Sequence, residues 1–332
     1  MIPLIGAPQH YAWGSDTAIP RAIGVPSDGR AWAELWWGTH PGGRTLAPRS
    51  GAPDTALVDV AGHLPYLVKL LAAAAPLSLQ AHPSTGQAAA GFADEERRGI
   101  PVAAAHRNYR DPEGKPEIIV AVTSFEALCG FRLVDEAARD LETHGGAPVA
   151  DRLRAEGPLG TLAWLLTERP PIALTHPLFR RLDAAYPGDP GAVVALLLRH
   201  FELEPGQALF LRAGVLHMYL HGIGLEVMGS SDNVLRGGLT PKHVDVPELL
   251  KVLDPAPTAP AVVRPGSDGW YPTETDAFAV RGLAGPDRWV TSGPEIVVKL
   301  AGDGGTRAWF AAAGEVVEWT GGLGCRVTRG RA

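Results

Sequence analysis

The chain has 332 residues, of which 40 are glycine, 30 are proline and 45% are hydrophobic. This composition predicts a compact, loop-rich globular protein and excludes a disordered one. A dispersed net charge of −6 argues against nucleic acid or an anionic membrane as a partner. Two cysteines, Cys129 and Cys325, are too few for a disulfide framework or a cysteine-based zinc cluster. Because the sequence shows neither a signal peptide nor an apolar run long enough to span a membrane, we expect a cytoplasmic protein.

Residues 1 to about 130 form short segments separated by glycine and proline. The runs LPYLVKLL, PLSLQAH and PEIIVAV have strand length and are bounded by turn residues, which favours a sandwich or barrel. From about Val134, apolar residues recur at helical spacing in VDEAARDLETHGG, VADRLRAEG, LGTLAWLLTERP and AVVALLLRHFE. Strand-like segments resume at QALFLRAG and MYLHGIGLEVMG. The stretch PAPTAPAVVRPGSDG, residues 255–269, is the best candidate for a linker, and short strands follow it.

Two segments of the first part place polar side chains on predicted strands. In LSLQAHPS, Gln80 and His82 are two residues apart and therefore point to the same face of a strand. Such a pair can supply half of a metal's ligands, although a single strand histidine is more often structural. In GKPEIIVAV, Pro116 favours an extended backbone and Glu117 opens an apolar strand. A buried carboxylate needs a partner, and the simplest is a salt bridge to Lys115 or to an arginine.

A third segment, PGQALFLRAGVLHMYLHG, matches the second cupin signature, G-x5-P-x-G-x2-H, and ends the signature at His217. Arg212 stands at the proline position of that signature. Cupins are double-sheet jelly rolls in which a glycine turn directs this imidazole into the barrel. Together with Gln80, His82 and Glu117, His217 completes a set of four N/O ligands suited to Zn²⁺ and compatible with other divalent ions.

A polar, glycine-rich stretch, IGLEVMGSSDNVLRGGLTPKHVDVPEL, follows this histidine. It contains Glu226, Asp232, Asn233, Arg236 and Lys242. The ordinary interpretation of such a stretch is a solvated loop. Its strand-like start and its closeness to a proposed metal ligand favour a functional role instead.

Taken together, these motifs are similar to those of the type I phosphomannose isomerase family. The matching segments run in family order from Tyr11 to Leu249: YAWGS, AELWWGTHP, LPYLVKLL, PLSLQAHP, NYRDPEGKPE, FEALCGFR, AGVLHMYLHG and SSDNVLRGGLTPKHVDVPEL. The resemblance implies a mainly β protein with a helical insert. Residues 1–132 and 201–255 are expected to form a catalytic cupin jelly roll, residues 133–200 the helical insert, and residues 265–332 a smaller, cupin-like C-terminal jelly roll.

The resemblance also implies an enzyme that interconverts mannose 6-phosphate and fructose 6-phosphate through an enediol(ate), with one Zn²⁺ per chain. The implied metal ligands are Gln80, His82, Glu117 and His217. The expected catalytic residues are Arg236, Glu226, Lys115 and Tyr219. Arg236 is expected to stabilise the enediolate, and Glu226 is the candidate base, with Tyr219 or Lys115 as alternatives. The expected substrate-binding residues are Ser78, Lys69, Lys242 and Trp13.

Three features of the sequence depart from the family pattern. Ser84 and Thr85 follow the HP of the first motif, where many relatives carry an acidic or amide residue and then lysine. This removes one possible phosphate contact. Gly114 stands where relatives often have histidine before KPE. Arg212 replaces the usual proline, and we expect this change to be tolerated outside the pocket.

The remaining aromatic and thiol groups receive structural interpretations. His221 lies four residues after His217 and is expected beside the site or at its rim. The other histidines are expected at the surface or in structural hydrogen bonds: His10, His40, His63, His106, His144, His176, His200 and His243. Trp13, Trp36 and Trp37 can line a sugar pocket, although such aromatics are more often core residues. Cys129 is expected to be a small buried hydrophobe.

Two other functions compete with the isomerase. A non-catalytic cupin that binds a sugar phosphate would be expected to lack a metal ligand or Arg236, and neither is missing. Another cupin enzyme is the third hypothesis, either an iron dioxygenase or an isomerase that prefers glucose 6-phosphate. The glutamine and the single histidine of the second cupin motif argue against the usual iron triad. The expected partner is a small sugar phosphate, and the oligomeric state stays open, a monomer included.

Overall fold

The computed structural model describes residues 1–48, 54–255, 261–300 and 305–330. Part of the candidate linker, residues 256–260, lies outside these described residues. The strands are β1 (Ile2–Leu4), β2 (Ala7–Gln9), β3 (Glu34–Gly38), β4 (Leu46–Ala47), β5 (Thr55–Ala56), β6 (Tyr66–Ala73), β7 (Gln80–Ala81), β8 (Glu117–Ala121), β9 (Phe125–Phe131), β10 (Leu198–Leu203), β11 (Ala208–Leu211), β12 (His217–Gly229), β13 (Leu235–Arg236), β14 (Val262–Val263), β15 (Ala279–Leu283), β16 (Asp287–Val290), β17 (Glu295–Lys299), β18 (Arg307–Ala311), β19 (Val316–Trp319) and β20 (Gly324–Thr328).

The helices are α1 (Ala18–Ile23), α2 (Leu57–Ala61), α3 (Thr85–Arg97), α4 (Val134–Thr143), α5 (Ala147–Glu168), α6 (Pro177–Ala185), α7 (Gly191–Val194) and α8 (Val246–Val252). A 3₁₀ turn at Ala195–Leu197 follows α7. Helix α5 is interrupted at Gly157, which has a φ of 70° and precedes Pro158. Within the described ranges the helices are too short or too polar to span a bilayer.

The long strand β12 belongs to two sheets. Its second half pairs with β6 and β8 in a first sheet of order β14-β11-β8-β12-β6-β3-β2. Its first half pairs with β9 and β7 in a second sheet of order β10-β9-β12-β7-β13. The strand changes sheets at Gly222, where φ is +119° and an added Cβ would lie 2.5 Å from the Ser124 carbonyl oxygen. Only glycine fits there, and the resulting two-sheet arrangement is that of a jelly roll.

The first sheet is buried on both faces, which explains its nearly continuous apolar strands. In β6, Val68 and Leu70 pack toward the C-terminal strands, where Phe278 and Ile296 cover them. The alternate residues of β6 point toward the second sheet, and among them is Lys69. All eight residues of β6 are buried. The apolar run seen in the sequence is therefore a strand that is buried on both faces, and its one charged side chain, Lys69, lies on the face toward the second sheet.

The helical segment covers the outer face of the second sheet. Leu128 of β9 and Met218 and Leu220 of β12 pack against helices α4 to α6 in one apolar core. The expectation of a helix over AVVALLLRHFE is wrong beyond Leu197, because residues 198–203 form β10 and pair with β9. Periodicity alone does not distinguish a short buried helix from a strand in so apolar a run. Helix α3 is a further difference, since that region suggested only strands.

The C-terminal strands form a smaller β structure of their own. Its main sheet has the order β1-β18-β17-β20-β15, beside the hairpin β16-β19. Strand β1 therefore joins the first residues of the chain to this C-terminal sheet. The prediction of a mainly β fold with a helical insert is confirmed. The domain limits 1–132 with 201–255, 133–200 and 265–332 stay our proposal.

Candidate active site

Strand alternation gathers the polar residues on the inner faces of both sheets. Glu34, Lys69, Glu117 and Glu226 occupy the positions of β3, β6, β8 and β12 that face the second sheet. On the second sheet, Arg236 is paired with Gln80, and Gln80 is paired with His217. Directly paired residues point to the same side. Three neighbouring strands therefore present a row of Arg236, Gln80 and His217.

Among the described residues, His82, Glu117 and His217 form a group that could hold a metal ion, with their ligand atoms all within 4.8 Å of one another. His82 Nε2 lies 3.3 Å from Glu117 Oε1, and His217 Nε2 lies 3.4 Å from Glu117 Oε2. At most 2% of each residue is exposed. Polar side chains that are buried this close together need an interaction that compensates for the loss of water.

The hydrogen bonds of the two imidazoles fix which nitrogen is bare. Nδ1 of His82 lies 2.8 Å from the Asn233 carbonyl oxygen, and Nδ1 of His217 lies 2.9 Å from the Val215 carbonyl oxygen. A carbonyl only accepts, so both Nδ1 atoms carry the proton and both Nε2 atoms offer a lone pair. In the described part of the chain, His82 Nε2 and Glu117 Oε2 are buried without a hydrogen-bond partner. A divalent cation fits these bare donors.

The pKa values favour the same protonation state. Burial lowers the pKa of His82 to about 4, so this ring is neutral at pH 7. Burial raises the pKa of Glu117, but the neighbouring His82 and Lys115 outweigh it and the pKa is lowered well below its usual value. Neutral imidazole and ionised carboxylate are the forms that bind metal. The donor set thus fits a divalent transition metal such as zinc.

Two further predicted residues lie against this group. The amide Nε2 of Gln80 is 3.4 Å from His217 Nε2, which brings the fourth predicted ligand to the same place. Lys115 Nζ lies 3.1 Å from Glu117 Oε1 and is buried. The salt bridge expected from the sequence is therefore present, and it coexists with the histidine contacts of Glu117.

A second buried cluster surrounds Glu226. Its Oε2 lies 3.0 Å from Lys69 Nζ, and its Oε1 accepts a hydrogen bond of 3.0 Å from the Tyr219 hydroxyl. Lys69 also approaches Glu34 Oε1 at 3.6 Å, while Trp36 donates to Glu34 Oε2 at 2.7 Å. Lys69 is thus enclosed by two carboxylates and an indole rather than free in the pocket.

The electrostatics of this cluster set the state of each group. Burial raises the pKa of Glu226, and Lys69 offsets part of this effect. Burial would lower the pKa of Lys69, but Glu226 and Glu34 outweigh it and the pKa is raised. Burial, followed by the Glu226 charge, raises the pKa of Tyr219. Tyr219 and Lys69 therefore keep their protons, and Glu226, whose pKa is raised above its usual value, is the group of this cluster best suited to exchange one.

Three cations lie near one another without an ion pair. Arg236 is half-buried, whereas Arg110 and Lys242 are exposed. Burial lowers the pKa of Arg236, and Arg110 lowers it further. Burial lowers the pKa of Lys242, with further contributions from Arg236 and Arg110. No described carboxylate forms a salt bridge with any of the three. Such uncompensated cations are typical of an anion site.

Sequence reasoning missed Arg110. It belongs to the NYRDPEGKPE segment, in which sequence reasoning assigned roles to Lys115 and Glu117 but none to Arg110. A basic side chain five residues before Lys115 was the available signal. Its proximity to Arg236 and Lys242 depends on long-range folding, which the segment alone does not reveal.

The remaining predicted residues occupy varied positions. Ser78 is half-buried and lies two residues before Gln80. Trp13 is half-buried and stacks on Tyr11 with ring centroids 5.8 Å apart, and Lys242 Nζ lies 6.0 Å from the Tyr11 ring. His221 is exposed, because a register shift between Tyr219 and His221 breaks the alternation of β12. The exposure of His221 excludes a buried place beside the metal group, and its expected place at the rim of the site stays a prediction.

The interpretations of Trp36 and Trp37 as core residues and of Cys129 as a small buried hydrophobe are borne out. Trp36 and Trp37 are buried core residues, at 8% and 2% exposure. Cys129 is fully buried, as expected of a small hydrophobe. Arg212 is exposed, which agrees with a tolerated replacement.

The two departures near the first motif are in contact. Ser84 is the N-cap of α3 and forms a capping box with Gln87. A Cβ at Gly114 would lie 2.7 Å from Thr85 Oγ1 and 2.8 Å from the Thr85 amide nitrogen. The α3 start therefore packs so closely on this loop that a larger residue at 114 requires movement of one of them. The small residues at 85 and 114 fit each other.

A second histidine group lies in the helical segment, where Asp140, His144 and His176 approach one another. A cavity of about 680 Å³ opens beside it. Arg132 already binds Asp140 at 2.6 Å, and His176 Nδ1 accepts the Leu178 amide hydrogen at 3.1 Å. The neutral His176 ring therefore carries its proton on Nε2, the atom that faces Asp140. Despite the cavity beside it, this group is already paired by hydrogen bonds and ion pairs, whereas the group of His82, Glu117 and His217 contains buried atoms without a partner among the residues that the structure describes.

Comparison with known proteins agrees with this site. A family model described as "Phosphomannose isomerase type I, catalytic domain" matches residues 1–134. The mannose-6-phosphate isomerase of Salmonella typhimurium is 37% identical over 326 residues, covering 84% of this chain and 82% of the relative. The Escherichia coli protein of that name is 36% identical over 324 residues, with the same coverage. The human protein is 31% identical over 323 residues, covering 78% of this chain and 74% of the relative.

Solved structures match over nearly the whole chain. A mannose 6-phosphate isomerase bound with zinc and yttrium has a TM-score of 0.86 at 32% identity, covering 99% of both chains. The Salmonella typhimurium mannose 6-phosphate isomerase bound to fructose 6-phosphate and zinc matches with the same TM-score, identity and coverage. The family predicted from the sequence motifs is confirmed. The chain belongs to the mannose-6-phosphate isomerase family.

Proposed function

We propose that this chain interconverts mannose 6-phosphate and fructose 6-phosphate by moving a proton between C1 and C2 through an enediol(ate). The observation that carries the proposal is the buried group of His82, Glu117 and His217, whose ligand atoms lie within 4.8 Å of one another and include two without a hydrogen-bond partner from any described residue, His82 Nε2 and Glu117 Oε2. The free cations Arg110, Arg236 and Lys242 lie nearby and suit a phosphorylated substrate. Relatives named mannose-6-phosphate isomerase support the reaction. A phosphorylated sugar as substrate fits a cytoplasmic enzyme.

One zinc ion per chain would be held by Nε2 of His82, Nε2 of His217, the Glu117 carboxylate and the amide oxygen of Gln80. When bound, zinc supplies a Lewis acid that polarises the substrate carbonyl and orients its neighbouring hydroxyl. Gln80 adds no charge, so the site has a single anionic ligand and keeps a net positive charge toward developing oxyanions. The zinc-bound neighbour structures support this choice of metal.

Arg236 is suited to stabilise the enediolate. It stands directly opposite Gln80 in the β13–β7 pair, one strand away from a proposed ligand. A fixed cation that faces developing negative charge contributes about 3 kcal/mol to transition-state stability in comparable sites. Lys242 is exposed beside Tyr11 and is suited to bind the phosphate at the rim, with Ser78 as a hydroxyl donor.

Glu226 is the best candidate for the proton-transferring base. Its raised pKa brings the carboxylate closer to neutrality than an exposed glutamate, which favours proton exchange. Tyr219 and Lys69 each donate to one of its oxygens and hold it in place. Tyr219 keeps its own proton and therefore serves as a donor. Lys115 forms an ion pair with Glu117 and so lies beside the metal group, where it is suited to contact a substrate oxygen.

A coupled assay tests the proposal. Conversion of mannose 6-phosphate to fructose 6-phosphate is measured before chelation, after chelation and after zinc is added back. We expect chelation to abolish turnover and zinc to restore it. Folded, zinc-loaded protein that gives no turnover would exclude the enzyme and favour a cupin that only binds a sugar phosphate.

A further inference from the structure

The buried amide of Asn233 connects a proposed metal ligand to the loop of residues 110–115. Asn233 is fully buried, and its main-chain oxygen accepts the Nδ1 hydrogen of His82 at 2.8 Å. Its side-chain oxygen accepts the amide hydrogen of Arg110 at 2.7 Å. Its side-chain nitrogen donates to the carbonyl oxygens of Asp111 and Glu113 at 2.8 and 2.9 Å. One residue thus faces the metal group with its backbone and the loop with its side chain.

These contacts require an asparagine. The amide uses its acceptor and both of its donors on backbone groups of the loop, a pattern that neither a carboxylate nor an apolar side chain can reproduce. Residues 110–115 contain no helix or strand, so side-chain hydrogen bonds must position them. Neighbouring bonds support the same attachment, since Ser231 donates to the Glu113 carbonyl and the Asp232 amide donates to the Asp111 carboxylate.

The loop places two cations at the site. Lys115, at its end, contacts the Glu117 carboxylate. Arg110, at its beginning, is exposed and has no ion pair with any described residue, although it lies close enough to Arg236 and Lys242 to affect both electrostatically. Three cations that repel one another persist more readily if an anion joins them, and a phosphate dianion accepts several charge-assisted hydrogen bonds.

We propose that Arg110 is a phosphate-binding residue and that Asn233 is the positioning residue that holds Arg110 and its loop at a fixed place relative to His82. The phosphate-binding role deepens the proposed function and rests on it. Replacing the Asn233 side chain leaves the main-chain oxygen that orients His82. The loss therefore weakens phosphate binding while the metal site stays intact.

The test measures binding of inorganic phosphate to zinc-loaded protein by calorimetry, together with zinc content and the KM and kcat for mannose 6-phosphate. The variants are Arg110→Ala and Asn233→Ala. The matched control is Asn108→Ala, which removes a neighbouring amide whose bond goes instead to Asp245, the N-cap residue of α8. We expect Kd for phosphate and KM to rise about tenfold or more in both test variants, as for a lost charge-assisted contact. Zinc content stays at the wild-type level, and kcat changes less than KM.

Because both variants act through Arg110, the double variant Arg110→Ala, Asn233→Ala is expected to raise Kd by less than the product of the single effects. Unchanged phosphate affinity in Arg110→Ala, or an equal change in Asn108→Ala, would overturn the proposal. If Asn233→Ala does not fold, Asn233→Asp tests the same point, since it keeps the acceptor for Arg110 and loses both donors. Phosphate calorimetry needs no turnover, so failure of the isomerase proposal remains distinguishable from failure of this one.

Discussion

Lys69 and Glu226 are directly paired residues of adjacent strands, and their side chains form a buried ion pair with Nζ and Oε2 3.0 Å apart. Such a pair is costly to bury, and removing one partner leaves an uncompensated charge. Here Glu34 and the Tyr219 hydroxyl provide additional contacts to the two members. We infer that the ion pair with Lys69 keeps the buried Glu226 carboxylate ionised. Burial at the same time holds the pKa of Glu226 above its usual value.

Replacing Lys69 by methionine tests this interpretation. Loss of the cation raises the pKa of Glu226 further, because Lys69 is the main group that lowers it. A base must be deprotonated to act, so the acid limb of kcat/KM moves to higher pH, by about one unit or more. The pH–rate profile measures this shift. Lys251→Met removes an exposed ion pair with Glu248 and should leave the limb in place. An unmoved limb in Lys69→Met would argue against Glu226 as the base.

Arg236→Ala should lower kcat by more than tenfold. A contribution of about 3 kcal/mol to the transition state corresponds to a loss of roughly a hundredfold. Steady-state kinetics on zinc-loaded protein measures the effect. Arg212→Ala is the control, since Arg212 is exposed and outside the pocket. A loss smaller than tenfold would show that Arg236 does not stabilise the enediolate.

Ser84→Ala should reduce stability without affecting the substrate. Ser84 accepts the Gln87 amide hydrogen and caps α3, and loss of such a cap costs about 1 kcal/mol of unfolding free energy. Chemical unfolding and KM are measured on the same preparations. Ser84→Asn, which retains a capping oxygen, should recover most of the stability. A raised KM with unchanged stability would instead identify Ser84 as a substrate contact.

The buried thiols predict a loss of stability at alkaline pH. Burial raises the pKa of Cys325 to about 12 and that of Cys129 well above its usual value. Above about pH 8.5 the unfolded thiols ionise while the folded ones keep their protons, so the free energy of unfolding falls as pH rises. Each group contributes up to about 1.4 kcal/mol per pH unit. Urea unfolding from pH 8 to 10 should show a shallower decline for Cys325→Ala, and equal slopes would contradict the assignment.

Strand alternation explains why the sequence predicted the metal group. Gln80 and His82 are read from their spacing, while Glu117 and His217 each begin a strand whose apolar pattern is plain in the sequence. The four residues also occur in motifs that are specific in combination. The identity of the metal-binding residues and the strands that carry them could therefore be predicted from the sequence.

Residues whose roles depend on distant partners were not predictable in this way. The ion pairs of Lys69 arise from the register of β6 with β12 and β3, which a strand pattern does not specify. The exposure of His221 follows from a register shift that no local signal marks. Arg110 and Asn233 lie in loop segments, and their importance appears only when residues 110–115 and 231–236 meet in space.

The measurement that tests the central claim most directly is the zinc content and turnover of His217→Ala beside His144→Ala. Both variants remove one histidine from a group that could hold a metal. Only the His217 group contains buried ligand atoms without a hydrogen-bond partner in the described portion of the chain, namely His82 Nε2 and Glu117 Oε2. After dialysis against metal-free buffer, we expect wild type and His144→Ala to retain one zinc per chain and full activity. His217→Ala should retain less than about a tenth of the zinc and no measurable turnover. Full zinc content and turnover in His217→Ala, or their loss in His144→Ala, would contradict the assignment of the metal site.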